Sequence, residues 1–115
     1  YSMYSLDITL PGAPANYNST EKRYAADRLK EERHWRHHVW LETIGKRPDM
    51  PLVKPVITLT RYSSRAVRSD RLKSSFKNIL NALMYAGVIE TADMEADCKW
   101  VLNKKSSMIR IQVNE

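Results

Sequence analysis

The chain has 115 residues, the size of one ordinary domain, and its 43% hydrophobic content is enough for a single core. The 19 Lys and Arg residues outnumber the 13 Asp and Glu residues, and the formal charge of +6 favours a polyanionic partner such as DNA, RNA or an anionic membrane. The single cysteine, Cys98, excludes an intrachain disulfide, and no apolar run approaches the roughly 20 residues that cross a bilayer.

The N-terminal part of the chain is predicted to hold one strand and one helix. Residues 3–10 (MYSLDITL) alternate apolar and polar side chains, which is typical of a strand with one buried face. The run PGAP at residues 11–14 stops this strand, and a polar loop follows. Residues 20–44 contain no Gly or Pro, so we predict a helix that ends at Gly45. On this helix Ala25 and Leu29 fit one apolar face, and Trp35, Val39 and Trp40 suggest another.

The rest of the chain is predicted to add three strands and a second helix. Residues 56–62 (VITLTRY) are β-branched and indicate a strand, and residues 63–69 form a basic loop. A helix over residues 71–86 is indicated by Leu72, Phe76, Ile79, Leu80 and Leu83, with Ser69 or Asp70 as its cap and Gly87 at its end. Residues 97–103 and 107–114 alternate in the same way and predict a closing hairpin. The order β-α-β-α-β-β predicts one α+β domain over residues 1–115, with helices packed on a mixed sheet.

Basic residues are concentrated around the start of the second helix. Asp70 is the only acidic residue within this stretch. The basic residues and the helix N-terminus are together expected to bind phosphate. The alternative is an ordinary solvated helix face. The six residues are Arg61, Arg65, Arg68, Arg71, Lys73 and Lys77.

Four acidic residues follow within a short stretch: Glu90, Asp93, Glu95 and Asp97. Carboxylates beside a phosphate-binding face could hold Mg²⁺, because hard oxygen ligands suit that ion. A polar loop that balances the cations explains the same spacing and is the interpretation we favour.

Two further groups on the first helix bear on function. His34, His37 and His38 lie about one turn apart, but no additional ligand in the sequence completes a zinc site, so a surface or phosphate-facing cluster is favoured. Trp35 and Trp40 are expected to lie in the core rather than to stack on bases. The sequence has no Gly-rich phosphate loop and no recognisable nucleophile motif.

Three stretches together resemble the RusA family of Holliday-junction resolvases. They are LDITLPGAPAN at residues 6–16, RLKSSFKNILNALMYAG at residues 71–87 and MIRIQV at residues 108–113. The first resembles the family's opening strand and its Asn-containing turn, here Asn16, and the second resembles its catalytic helix. The resemblance implies a homodimeric, Mg²⁺-dependent endonuclease of phage or prophage origin that acts in DNA recombination and repair. The single cysteine separately favours a cytoplasmic location, because thiols stay reduced there.

The catalytic carboxylates of that family are replaced at the matching positions. Its two helix-start aspartates fall on Arg71 and Lys73, its later helix aspartate falls on Asn81, and its following acidic pair falls on Thr91 and Ala92, while its lysine is retained as Lys77. Two-metal phosphodiester cleavage needs anionic oxygens around the metal ions. A cation about 4 Å from the metal would cost on the order of 4 kcal/mol per charge.

These replacements leave three hypotheses about function. The first is a binder of branched or duplex DNA in which cleavage is lost or weak and no cofactor is needed. The second is an active Mg²⁺-dependent junction endonuclease that uses a displaced set, Asp70, Glu90 and Asp93, beside Lys77. The third is a protein-interaction module that binds a host or phage protein.

Overall fold

A computed structural model describes residues 3–14 and 25–115, in which strands and helices follow one another in the predicted order. The elements are β1 (Ser5–Pro11), α1 (Ala25–Glu42), β2 (Val56–Ser63), α2 (Ser69–Ser75), α3 (Lys77–Tyr85), β3 (Asp97–Leu102) and β4 (Met108–Asn114). The four strands form one mixed sheet with the helices packed on it, which confirms the predicted α+β fold.

The strand order is β1-β4-β2-β3, so the last strand of the chain lies inside the sheet. β4 pairs antiparallel with both β1 and β2, whereas β3 pairs parallel with β2. The predicted hairpin of residues 97–103 and 107–114 is therefore wrong, because β2 separates the two strands. Burial explains the placement: Ile109, Ile111 and Val113 make one face of β4 fully apolar and buried, which suits an interior strand.

One face of the sheet carries the core, and the other face carries polar side chains. Along β1, β2 and β4, every second side chain points towards the core. On β1 these side chains are Leu6, Ile8 and Leu10. Trp35 and Val39 of α1 belong to the same core cluster. All five residues of the predicted second-helix stripe, Leu72, Phe76, Ile79, Leu80 and Leu83, are buried, as expected.

The second helix is divided, in contrast to the continuous helix predicted over residues 71–86. Phe76 ends α2 and begins α3 with φ −79° and ψ −5°. The buried hydroxyl of Ser75 donates to the Leu72 carbonyl at 2.8 Å, so a side chain shares an acceptor that the helix backbone normally uses alone. α2 is consequently only seven residues long, and its start has no side-chain cap, so neither Ser69 nor Asp70 acts as one.

The end of α3 has the geometry that Gly87 predicts. Gly87 has φ +83°, its N–H donates to the Met84 carbonyl at 3.1 Å, and the Val88 N–H donates to the Leu83 carbonyl at 3.0 Å. These two bonds form a Schellman motif, in which a residue with positive φ closes the last turn. Val88 and Leu83 are both fully buried, so the chain leaves the helix directly into the core.

α1 packs closely against α3 and also contacts β1 of the sheet. It ends at Glu42, slightly before the predicted end, and Gly45 follows in a turn with φ +76°. Leu29 is exposed, so its predicted place on an apolar face of the core is wrong. No helix in the described ranges is long and apolar enough to cross a membrane.

Candidate nucleic-acid interface

A groove of about 540 Å³ lies between α2 and α3 on one side and residues 91–98 on the other. Its floor is largely apolar and includes Phe76 and Leu80 of the core. Lys73 and Lys77 line the helical side, and Asp93 and Glu95 line the facing segment. The groove therefore has one cationic wall and one acidic wall.

Lys73 and Lys77 line the same groove although the helix breaks between them. Both residues are exposed while Leu72 and Phe76 are buried, as the four-residue spacing predicts. Within residues 3–14 and 25–115, no carboxylate lies within ion-pair distance of either ammonium group. The two lysines are therefore available to an external anion.

The neighbouring arginines of the β2–α2 connection and α2 are all exposed. Arg65 and Arg71 are exposed, and Arg68 lies 3.8 Å from the carboxylate of Asp70 in an ion pair that is open to solvent. A pair of this kind stabilises the fold by about 1 kcal/mol or less, so a phosphate can replace the carboxylate at little cost.

Arg61 is placed differently from the other five cations. It lies on the core-facing side of β2, opposite Ile109 of β4 and Trp100 of β3 in the strand register. Its Nε atom is buried with no hydrogen-bond partner among the residues that the structure describes, and burial lowers the pKa of its guanidinium. Of the six predicted cations, five are exposed to solvent and Arg61 is half-buried.

The proposed metal ligands do not come together as a set. Asp93 lines the groove, whereas Asp70 pairs with Arg68 outside it, and the Glu90 N–H is bonded to the Leu52 carbonyl at 2.9 Å. In the described part of the chain, no group of three or more His, Cys, Asp or Glu side chains is arranged to hold a metal ion. That result covers Asp70, Glu90 and Asp93 as well as the three histidines of α1.

Cys98 lies at the end of the groove and is half-buried. Burial raises the pKa of its thiol, while the charge of Lys73 acts in the opposite direction. A raised pKa disfavours the thiolate, which is the nucleophilic form of cysteine.

The histidines form a surface cluster on α1. The rings of His34 and His38 have centroids 4.3 Å apart, and those of His37 and His38 are 5.7 Å apart. Burial lowers the pKa of His38, and the neighbouring charges of His34 and His37 lower it further. The cluster therefore favours neutral imidazole at His38.

The two tryptophans of α1 have opposite environments. Trp35 is buried and donates from Nε1 to Glu31 at 2.8 Å, as expected of a core residue. Trp40 is 40% exposed, so its predicted place in the core is wrong. It borders a second depression of about 280 Å³ with Arg33, Arg36, His37 and Tyr85.

This second depression was not anticipated from the sequence, although part of it has a sequence signal. Arg33, Arg36, His37 and Trp40 recur at i, i+3, i+4 and i+7, the spacing of one helix face. Tyr85 comes from α3 and reaches them only through the packing of the two helices. Asn16, which the resemblance placed at the site, lies outside the described residues.

Comparison of the sequence with models of known protein families and with curated proteins found no match.

Proposed function

We propose that the protein binds duplex or branched DNA through its exposed cations and that, despite its resemblance to RusA resolvases, it has little or no cleavage activity. The observation that carries this proposal is the cationic wall, in which Lys73 and Lys77 border one groove and no described carboxylate lies within ion-pair distance of either. Arg65, Arg68 and Arg71 extend the positive surface along the β2–α2 connection and α2. Contacts of this kind hold the phosphate backbone without reading sequence.

The acidic wall determines where the phosphate backbone of a bound DNA would lie. Asp93 and Glu95 would repel a phosphate placed deep in the groove, whereas the helical rim offers Lys73 and Lys77. The phosphate backbone of the DNA is therefore proposed to follow the rim formed by α2 and the start of α3. Two such surfaces in a homodimer would hold two arms of a junction.

The same arrangement opposes metal-dependent cleavage. The two carboxylates of the groove face two ammonium groups, and Arg71 and Lys73 occupy the positions where the resemblance implies metal ligands. A positive charge about 4 Å from a divalent ion costs on the order of 8 kcal/mol in a partly solvated site, about 4 kcal/mol for each charge of the ion. Binding without cleavage is the outcome that these charges favour.

The test is a titration of a labelled four-way junction, and of a duplex with the same arm sequence, at several salt concentrations. Binding is expected to weaken steeply with salt because phosphate contacts release counterions. Lys73→Gln with Lys77→Gln should lower the affinity and reduce the salt slope by roughly 1.8, about 0.9 per lost contact.

A matched control is Lys46→Gln with Lys54→Gln. These exposed lysines lie in the connection between α1 and β2 and so precede the start of β2. The positive surface, by contrast, begins after the end of β2. The control removes the same charge and should change the salt slope much less. Equal effects of the two double variants would show that net charge alone is responsible and would overturn the proposed surface.

The alternatives give different results on the same gel. Nicking of the junction with Mg²⁺ or Mn²⁺ that disappears in Asp70→Asn or Asp93→Asn would establish the endonuclease with a displaced carboxylate set. Failure to bind either DNA at low salt, with a stable protein complex in a pull-down, would establish the protein-interaction module.

A further inference from the structure

A ladder of contacting cationic and aromatic side chains joins the end of α1 to α3. The Arg47 guanidinium lies 3.8 Å from the ring centroid of Trp40, and the Trp40 and Tyr85 rings are 5.8 Å apart at an angle of 57°. The Arg36 guanidinium lies 4.6 Å from the Tyr85 ring centroid. Two aromatic rings are thus held between two cations on the surface of the protein.

Trp40 is held in place by this ladder rather than by burial. Arg47 donates from Nη2 to the Trp40 carbonyl at 2.7 Å and from Nε to the Thr43 hydroxyl at 3.1 Å. Thr43 is itself buried, and its hydroxyl donates to the Val39 carbonyl at 2.8 Å. An exposed indole that is already ordered loses little conformational entropy when a ligand stacks on it.

The depression beside Trp40 has the size and charge for a small anionic ligand with a flat ring. Its volume of about 280 Å³ lies just below the 300–1,000 Å³ typical of pockets for drug-sized molecules. Among the residues that the structure describes, its lining contains Arg33 and Arg36 and no carboxylate. Aromatic faces beside arginines are the features with which proteins bind unpaired bases and their phosphates.

This depression and the lysine-lined groove lie close together on the surface. An intermediate hollow between α1 and α3 shares Asn81 and Met84 with the groove, and it shares Arg36 and Tyr85 with the depression. A path therefore leads from Lys77 across α3 to Trp40. A strand held at the lysines could continue along it if its bases were unpaired.

We infer that the depression between Trp40 and Tyr85 binds an unpaired base of single-stranded DNA, with Arg33 and Arg36 at the adjoining phosphates. The inference rests on the proposed function in taking the ligand to be DNA, and it adds a preference for duplexes that carry a single-stranded branch. Glu32 lines the intermediate hollow, so the phosphates are placed on the arginine side of the path.

The experiment compares a blunt duplex with the same duplex carrying an unpaired oligothymidine tail of about 16 nucleotides. Fluorescence anisotropy of the labelled DNA gives both affinities. The tail should increase the affinity about ten-fold, the effect of one stacked base, and should quench tryptophan emission. Trp40→Ala should remove both effects and leave binding of the blunt duplex unchanged, while Trp40→Phe should retain part of the gain.

Two further variants keep the test decisive. Arg33→Gln with Arg36→Gln should reduce the salt slope for the tailed duplex only, which tests the site without removing the indole. Trp100→Phe changes a half-buried tryptophan of β3 and should retain the full effect of the tail.

Each remaining outcome has one meaning. If the blunt duplex binds and the tail adds nothing, the inference is wrong and the proposed function stands. If Trp40→Ala weakens both probes equally, the depression does not select unpaired bases and the inference is wrong. If neither probe binds and Trp40→Ala abolishes capture of a defined protein partner, both the inference and the proposed function are wrong.

Discussion

Arg110 donates from Nε and Nη2 to the two carboxylate oxygens of Asp7, at 2.9 and 2.6 Å. The two residues are 103 positions apart, and they join β1 to β4 on the polar face of the sheet. The paired hydrogen bonds lower the pKa of the Asp7 carboxyl and raise that of the Arg110 guanidinium. The pair thus couples the protonation of one side chain to the pairing of the first and last strands.

This coupling predicts how acid destabilises the protein. A carboxyl whose pKa is lowered by folding contributes stability that is fully present above its ordinary value of 3.8 and is lost as the pH falls through the lowered pKa. Asp7→Asn should therefore flatten the stability curve in that acidic range, measured by urea unfolding at a series of pH values. Arg110→Gln should flatten the same part, and a double variant that flattens it further would contradict the assignment to this pair.

Gly87→Ala should destabilise the protein by about 1–2 kcal/mol, the cost of a left-handed conformation for a residue with a Cβ atom. An added Cβ would meet no atom within 4 Å, so backbone strain is the only expected cause. Gly87→Asn should cost less, because Asn tolerates this conformation better. Chemical denaturation of the three proteins provides the measurement, and an Ala variant as stable as the parent would rule out the strain.

Phe76→Ala should lower the free energy of unfolding by about 3–5 kcal/mol, because it removes a fully buried ring at the junction of α2 and α3. Met84→Ala is the matched control, since Met84 is an exposed residue of α3 and its loss should change stability by about 0.5 kcal/mol or less. Similar losses in the two variants would show that the core does not depend on this ring.

Removing the acidic wall of the groove should strengthen DNA binding. Each carboxylate about 10 Å from a phosphate contributes a repulsion of roughly 0.4 kcal/mol in water, so Asp93→Asn with Glu95→Gln should raise the affinity roughly four-fold at low salt. Anisotropy titration measures the change. An endonuclease that used Asp93 would lose cleavage activity in this variant. The same substitutions therefore distinguish the two hypotheses.

The order of the elements was predictable from the sequence, but the pairing of the strands was not. Alternation in residues 97–103 and 107–114 correctly indicated two strands, and the short connection between them favoured a hairpin. The connection instead passes the end of β2, where the Asn103 N–H donates to the Ser63 carbonyl at 3.0 Å. Local pattern defines which residues face inward, whereas competition between strands for the buried centre defines which strands are neighbours.

In the candidate site, too, local sequence pattern predicts some features, and the packing of separate elements determines the others. The four-residue spacing predicts that Lys73 and Lys77 share one helix face, whereas the groove that both of them line was not predicted. Trp40 was assigned to the core because large aromatic residues are usually buried. Its contacts with Tyr85 and Arg47 depend on how α1 packs against α3 and the following turn. No local sequence pattern encodes these contacts.

The place of β4 in the sheet also determines when folding can finish during synthesis. A ribosome releases the chain from its N-terminus, so β1, β2 and β3 emerge before the strand that joins β1 to β2. Until residue 114 has left the exit tunnel, β1 and β2 lack the strand that pairs with both of them. A nascent chain stalled at residue 107 should accordingly be sensitive to protease and bound by chaperones.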